Sequence, residues 1–462
     1  MKQRNRVTFF NILSTCLLYG ISIFTAPLFS RLLGTGGYGN LANYNVWVSV
    51  LAIAATLQTQ GTLVNARVEY PEEEQIKYQS SVMSLSFLVF LVVCLVVALF
   101  LDPISKELHF SRFFIALVLF QAIGTYGVNF MNTKLTYELK AGRNMVLSVF
   151  TALSTLALSL IFVLALPREI NYYGRIIAIA AVYGILGLSL CGYIFFKGRT
   201  FFCAKYWRFC IPLAIPYVFY NLADLLLGHS DVVMLRQLSG DTISGIYSMA
   251  FQFGTILFTI FGALNNTWVP FYFEDTKHGR QDAVMNQSRN FLEVYTVLSA
   301  GFILLGTEVY HLFARQDFWG STRLIPLFIA SHYLNFLCTF PINYEYYHKK
   351  VKMVAFATIS SSLINIGLNY LFISRIGMPG AALATLVSHS IQFAMHYVYT
   401  RFILGKGSYP FGISLWGPYC ACFVGVMVLV YLTPKAWLVR WGLGACIGLW
   451  ELLRIRKRKV LI

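Results

Sequence analysis

The densest set of polar and ionisable groups inside the chain's apolar stretches is Asn221-Leu-Ala-Asp-Leu-Leu-Leu-Gly-His-Ser-Asp-Val-Val-Met-Leu-Arg236. Asp224 and Asp231 are seven residues apart, two turns of a helix, so they fall on one stripe, with His229 between them. A charge near the centre of a bilayer costs about 2.5–3.5 kcal/mol on insertion scales, so an intramembrane carboxylate faces a cavity, a partner or an ion. An acidic pair here suits the binding of H+ or Na+ and the coupling of that ion to movement. The structural alternative is a helix–helix polar contact at Asp224 and an interfacial position for Asp231.

Two cations stand where they reach toward a cleft opening to the cytoplasm: Arg67 at the end of the second apolar run and Lys134 at the end of the fourth. Both suit an anionic headgroup, with interfacial anchoring as the alternative. Arg31 and Arg236 occupy matched outer ends of the first and seventh runs, lining an outer mouth or snorkelling to headgroups. Asn43, Gln58, Gln60, Asn265 and Asn266 suit hydrogen bonds to a sugar, or equally bonds between helices. The glycine-rich stretch RLLGTGGYGN (31–40) lacks the lysine and hydroxyl of a phosphate-binding loop and follows an apolar run rather than a strand; it reads as a turn between helices. No H-E-x-x-H and no metal-type cysteine spacing occurs, so neither a catalytic residue nor a metal or cofactor site is expected.

These residues are carried by long apolar segments. Of 462 residues 57% are hydrophobic and 12% charged, about half the charge of a soluble domain. The charges cluster between charge-free runs such as 7–30, 32–66, 78–101, 113–133 and 242–273. About 20 apolar residues cross a bilayer as a helix. Fourteen spans are expected, at 7–31, 38–63, 78–101, 113–135, 144–166, 174–197, 209–235, 242–270, 287–309, 323–345, 353–375, 378–401, 411–433 and 436–453: an all-α polytopic membrane protein. The first reads as a span rather than a signal peptide. With both ends on one side, 25 of the 36 Lys and Arg fall in that side's segments and 11 in the other's. The positive-inside rule puts the 25, and both termini, in the cytoplasm. The net charge of +17 is therefore an orientation signal beside anionic headgroups, and nucleic acid is not expected as a partner. Short connections leave no room for a soluble catalytic domain.

The second half echoes the first. Arg31-LLGTGGYGN resembles Arg236-QLSGDTISG, matching Gly39 to Gly245; Gly174-RIIAIAAV resembles Gly380-AALATLV; Tyr137-Glu138 matches Tyr344-Glu345. The offsets are 206, 206 and 207. Six helices per repeat give two parallel six-helix bundles, over 1–205 and 206–405, with 406–462 as two extra C-terminal helices and a basic tail.

The stretches FSRLLGTGGYGNLANY, TLQTQGTLVNARVEYPEEEQ, SDVVMLRQLSGDTISGIYSMA and MPGAALATLVSH resemble the oligosaccharide flippases of bacterial polysaccharide synthesis, in the multidrug/oligosaccharidyl-lipid/polysaccharide exporter superfamily. The resemblance runs over nearly the whole chain. It implies that an undecaprenyl-pyrophosphate-linked oligosaccharide is moved across the cytoplasmic membrane for O-antigen, capsule or exopolysaccharide synthesis. It also implies alternating access, coupling to H+ or Na+, and a polysaccharide polymerase and chain-length regulator as partners. A lipid II flippase shares the fourteen-helix plan, but usually has arginines within its first span, where 7–30 has none. A multidrug antiporter of the superfamily usually stops at twelve helices.

Overall fold

The computed structural model describes residues 2–406 and 409–458, and side chains from Leu17 onward other than those of 18, 19, 22, 23, 455, 457 and 458. The side chains of Lys2, Arg4, Arg6, Lys457, Arg458 and Lys459, which enter the charge count above, lie outside this set. Among the described residues there is no strand. Fifteen α-helices follow in order: α1 (Lys2–Ala54), α2 (Leu63–Glu69), α3 (Glu72–Leu99), α4 (Leu101–Leu108), α5 (Arg112–Tyr137), α6 (Ala141–Ala165), α7 (Asn171–Gly198), α8 (Ala204–Ser239), α9 (Asp241–Lys277), α10 (Gln281–Phe313), α11 (Ile325–Tyr347), α12 (Val351–Ile376), α13 (Met378–Val398), α14 (Ile413–Leu432) and α15 (Trp437–Arg458). Each expected span falls largely on one of them, the first two sharing α1, with the second running on past its end at Ala54. Among the described residues ten helices are long and apolar enough to cross a membrane, and one further bent pair, Phe24–Ala54 with Thr59–Glu69, turns by 50°.

The chain forms two compact units, Met1–Leu225 and Leu226–Ile462. In the first, α7 packs on α1, α3, α5 and α6. Contact between α5 and α7 is backbone-close, because a Cβ at Gly124 would strike the chain at Tyr183 and Gly184, and one at Gly187 would strike Gly124. Small residues that admit such approach are the usual means of helix association where lipid supplies no hydrophobic drive. In the second unit, α13 packs on α11 and α12, and α10 on α9, α14 and α15.

Two local devices occur in both units, each pair 206 residues apart. Gly34 (φ 68°, ψ −179°) and Gly240 (φ 87°) take backbone conformations open to glycine, at the turns after Arg31 and Arg236. The conformationally demanding glycines are thus Gly34 and Gly240, five residues before the sequence-matched Gly39 and Gly245. Gly174 and Gly380 each open a helix against the end of the one before: a Cβ would strike the backbone at Phe162 in the first case and at Phe372 in the second. The Tyr-Glu match has a different register. The turn after α5, with Lys140 N–H bonded to the Leu135 carbonyl and Leu139 at φ 58°, is reproduced after α11 by Lys350 N–H to Glu345 with Lys349 at φ 59°. Glu345 itself is fully buried and faces His396 Nδ1 at 2.9 Å.

α15 is less apolar than the other spans, and ion pairs hold it. The Arg440 guanidinium, 1% exposed, pairs with Glu308 of α10, and Trp441 Nε1 donates to the same carboxylate at 3.2 Å. Arg454 pairs with buried Glu293, also on α10. Removing one partner of a buried pair strands the other charge, at a cost of about 3–5 kcal/mol, whereas replacing both with apolar groups is often neutral. Glu308→Ala is expected to lower the thermal midpoint of the purified protein markedly, and Glu308→Leu combined with Arg440→Met to restore most of it. Equal losses in the single and double variants would show that the pair does not hold α15.

Candidate functional site

Two connections meet at one end of the first unit: α2 into α3, and the α5–α6 turn. Between them lies a cavity of about 390 Å³ walled by Arg67, Gln75, Gln79, Lys134, Glu138 and Lys140 among others. Arg67, exposed in the last turn of α2, donates to the Tyr137 carbonyl and so bridges to α5. Lys134, whose side chain is 12% exposed, places Nζ 2.6 Å from Gln79 Oε1 and 2.6 Å from Glu138 Oε1. Lys140 holds the other carboxylate oxygen, Oε2, at 2.6 Å. Sequence reasoning named Arg67 and Lys134, and the structure brings both to one cavity. It missed Lys140, Gln79 and the carboxylate between the lysines.

Glu138 is thus an internal anion seated where two lysines converge. Burial alone would lift its carboxyl, but the hydrogen bonds and charges of Lys134 and Lys140 outweigh burial and hold it below the ordinary value of 4.5. A depressed carboxylate stabilises the fold above its unfolded pKa, and that contribution is lost as pH falls through the folded value. Two results are expected for Glu138→Gln. Its stability deficit against the parent, read as a difference in thermal midpoint, is present at neutral pH and closes on acidification. Its affinity for inorganic pyrophosphate rises about tenfold, one pKa-unit equivalent of charge interaction, because the lysines lose their internal counter-ion. Unchanged pyrophosphate affinity would show that Glu138 does not compete for them.

The second expected span is not continuous. Helix α1 ends at Ala54, Leu57 and Gln58 take left-handed conformations (φ 52° and 47°), and a 3-10 turn over Thr59–Thr62 leads into α2. Carbonyls freed by such a break need donors, since the bilayer supplies none. Two hydroxyl chains supply them. Ser86 Oγ donates to the Thr56 carbonyl at 2.6 Å, so Thr59 donates to Ser86 and Tyr126 to Thr59, each at 2.8 Å. Thr62 Oγ1 donates to the Thr59 carbonyl at 2.7 Å, so Tyr78 donates to Thr62. Of the residues expected to meet a sugar, Gln60 donates to Gln58 Oε1 at 2.7 Å and keeps a buried Oε1 without a hydrogen-bond partner. Asn43 is fully buried and donates back to the Gly39 carbonyl at 3.1 Å, which is helix-internal bonding. Arg31 is exposed.

In the second unit Asp231 is 1% exposed. Its carboxylate accepts from the Val232 N–H at 2.8 Å, from Tyr247 of α9, and from Thr385 of α13 at 3.4 Å. Among the described residues no cation pairs with it within 4.0 Å. The adjacent Ser230 donates to Asn365 Oδ1 at 2.8 Å, and Asn369 Nδ2 donates to both at 2.9 and 3.1 Å; Asn369 Oδ1 is buried without a hydrogen-bond partner. The result is a buried carboxylate with hydroxyl and amide donors, next in sequence to a buried Ser230–Asn365–Asn369 network. Groups of three or more His, Cys, Asp or Glu suited to a metal are absent among the described residues. Asp224 is exposed, in the first unit. The seven-residue spacing puts the two aspartates on one stripe, but only at Asp231 is that stripe covered, by α9 and α13, so the expected pair does not share surroundings. Arg236 is tied to Asp241 across the Gly240 turn at 2.6 Å, while on α9 Asn265 is partly buried and Asn266 exposed.

Fold and apolar helices together define an all-α multi-pass membrane protein. The polysaccharide biosynthesis protein family model matches residues 6–276, more than half of the 462, and the chain belongs to that family. It is 20% identical over 73% of its length to "Lsg locus putative protein 1" of Haemophilus influenzae, spanning 83% of that protein. Its fold is similar to that of the lipid II flippase MurJ in an inward closed conformation, with TM-score 0.69 and 16% identity over 98% of this chain and 100% of that one. It is also similar to an inward-facing multidrug resistance MATE family transporter, with TM-score 0.61 and 13% identity over 85% of this chain and 95% of that one.

Proposed function

We propose that this chain is a flippase that moves an undecaprenyl-pyrophosphate-linked oligosaccharide repeat unit across the cytoplasmic membrane by alternating access, for O-antigen, capsule or exopolysaccharide assembly. The observation that carries the reading is the cavity in which Arg67, Lys134 and Lys140 converge. It is built from two of the connections that charge counting assigns to the cytoplasm, the side on which such a lipid is assembled. A pyrophosphate cannot enter hydrocarbon without its counter-charge; a cavity whose own anion is displaceable supplies that charge at the membrane face. Gln58 and Gln60 at the broken span, with Asn265 and Asn266, are the proposed sugar contacts, and Arg31 and Arg236 mark the outer side. The glycines paired at 206 residues support the division into 1–205, 206–405 and 406–462. Family membership favours a polysaccharide repeat unit over lipid II, whose flippase shares the fold.

Asp231 is the proposed coupling group. A buried carboxylate without a cation is neutralised by a proton or by a bound monovalent ion, and the hydroxyl oxygens of Tyr247 and Thr385 stand beside it. Asp224, in its exposed position, is the weaker member.

The test is a deletion strain scored for lipid-linked oligosaccharide on the cytoplasmic leaflet. Accumulation there, relieved by the intact gene, supports the reading; undiminished surface polymer in a strain without a second such transporter rejects it. In complementation, Lys134→Ala and Arg67→Ala are expected to cut polymer output about tenfold or more, the scale set by losing a charge-assisted contact, with Lys134→Arg largely active. Asp231→Asn is expected to abolish ion-gradient dependence in reconstituted vesicles, and wild-type behaviour of that variant removes Asp231 from coupling.

A further inference from the structure

The space around Lys134 does not end at the basic cavity. It adjoins, across the shared walls Ile76, Lys134, Glu138 and Lys140, a second cavity of about 320 Å³ reaching Arg143 and Lys197. Arg143 also borders a shallow, open surface hollow bounded by Gly142, Val146, Leu147 and Phe150. The run therefore begins among five cations against two carboxylates, Glu72 and Glu138, and ends against hydrocarbon side chains. Val146 and Phe150 are 63% and 57% exposed, and they project from the unit's surface rather than into its core.

One helix makes the join. Helix α6 opens at Ala141 with Lys140 as its N-cap, so its positive end lies at the cation-lined side. Positions 143, 146, 147 and 150 repeat as i, i+3, i+4 and i+7, a single face, extending about 10 Å along the axis at the helical rise per residue. A soluble anion has no use for the apolar stretch, and a hydrocarbon has none for the cations. An amphiphile with an anionic head on a long apolar chain uses both.

The geometry points to a chain-binding groove on α6: the pyrophosphate of a polyprenyl-linked substrate lies among Lys134, Lys140 and Arg143 while the first isoprene units of its chain lie along Val146, Leu147 and Phe150. This rests on the reading of the basic cavity given above and adds where the chain goes. The lipid is taken sideways from its leaflet, over α6, with its chain never leaving an apolar surface.

The experiment measures binding of inorganic pyrophosphate, farnesyl pyrophosphate and undecaprenyl pyrophosphate to the full-length protein in nanodiscs. The intact protein is expected to bind both prenyl compounds more tightly than pyrophosphate alone. Val146→Ser combined with Phe150→Ala is expected to weaken the prenyl compounds about tenfold, from the apolar contact removed, and to leave inorganic pyrophosphate unchanged. Phe150→Leu, which keeps the surface apolar, is expected to retain prenyl affinity, which separates loss of the groove from loss of the fold. Arg143→Gln is expected to weaken all three ligands. Prenyl affinity unchanged in the Val146/Phe150 double variant would overturn the groove while leaving the basic cavity standing. Failure of the intact protein to bind any of the three would overturn the cavity reading and the groove with it. Displacement of farnesyl pyrophosphate by equimolar phosphatidylglycerol would make this an ordinary phospholipid site and would equally overturn the proposal.

Discussion

An ionised group surrounded by hydrocarbon has to be matched by an opposite charge within a few ångströms, and most of what is distinctive in this protein follows from how that demand is met or left open. Arg440 and Arg454 meet it with Glu308 and Glu293, and so fasten to α10 a helix too polar to be held by lipid. Arg175 meets it with an aromatic ring, its guanidinium 3.3 Å from the centre of Phe29, a cation–π contact whose worth rises when water is excluded. Asp231 has hydroxyl and amide donors and, among the described residues, no cation within 4.0 Å, which is what its proposed coupling role rests on. Lys134 and Lys140 meet it with the carboxylate of Glu138.

Backbone polarity obeys the same demand in the second span. The break after Ala54 frees carbonyls that only protein groups can satisfy, and the relay from Tyr126 through Thr59 and Ser86 to Thr56 does so with each hydroxyl donating once. Gly61 sits against the ring of Tyr217 so closely that a Cβ would clash with its edge at 2.4 Å. A discontinuous helix pinned by hydroxyls and seated on an aromatic ring in this way is a defined joint, and irregular backbone at membrane depth characteristically lines a cavity or an ion path.

What the sequence made legible was what depends on composition and short spacing. Charge-free runs located the helices, because length and apolarity alone decide a span. Lysine and arginine counts grouped the loops of Arg67, Lys134 and Lys197, and the structure gathers those residues at one end of a unit. The glycine turns after Arg31 and Arg236 were visible as glycine clusters, although which glycine carries the unusual φ was not. The break at Leu57–Gln58 left no trace, since ATLQTQGT reads as a helix and neither residue favours a left-handed backbone. Asn365 and Asn369 carried a usable signal, two amides one turn apart in a charge-free run, but their convergence with Ser230 needs two helices 135 residues apart to be placed side by side. The aspartate pair misled because a helical wheel assigns faces and not the neighbours that cover them.

The seat of Glu138 has a further consequence for a protein embedded in lipid headgroups. Bulk phospholipids present a phosphodiester with a single negative charge, no more than the carboxylate they would have to dislodge from Lys134 and Lys140. A pyrophosphate joining a lipid to a sugar presents two. On the proposed function, a pocket that keeps its own monovalent anion in place would favour a divalent head over the singly charged phospholipids around it: it would act as a valence filter.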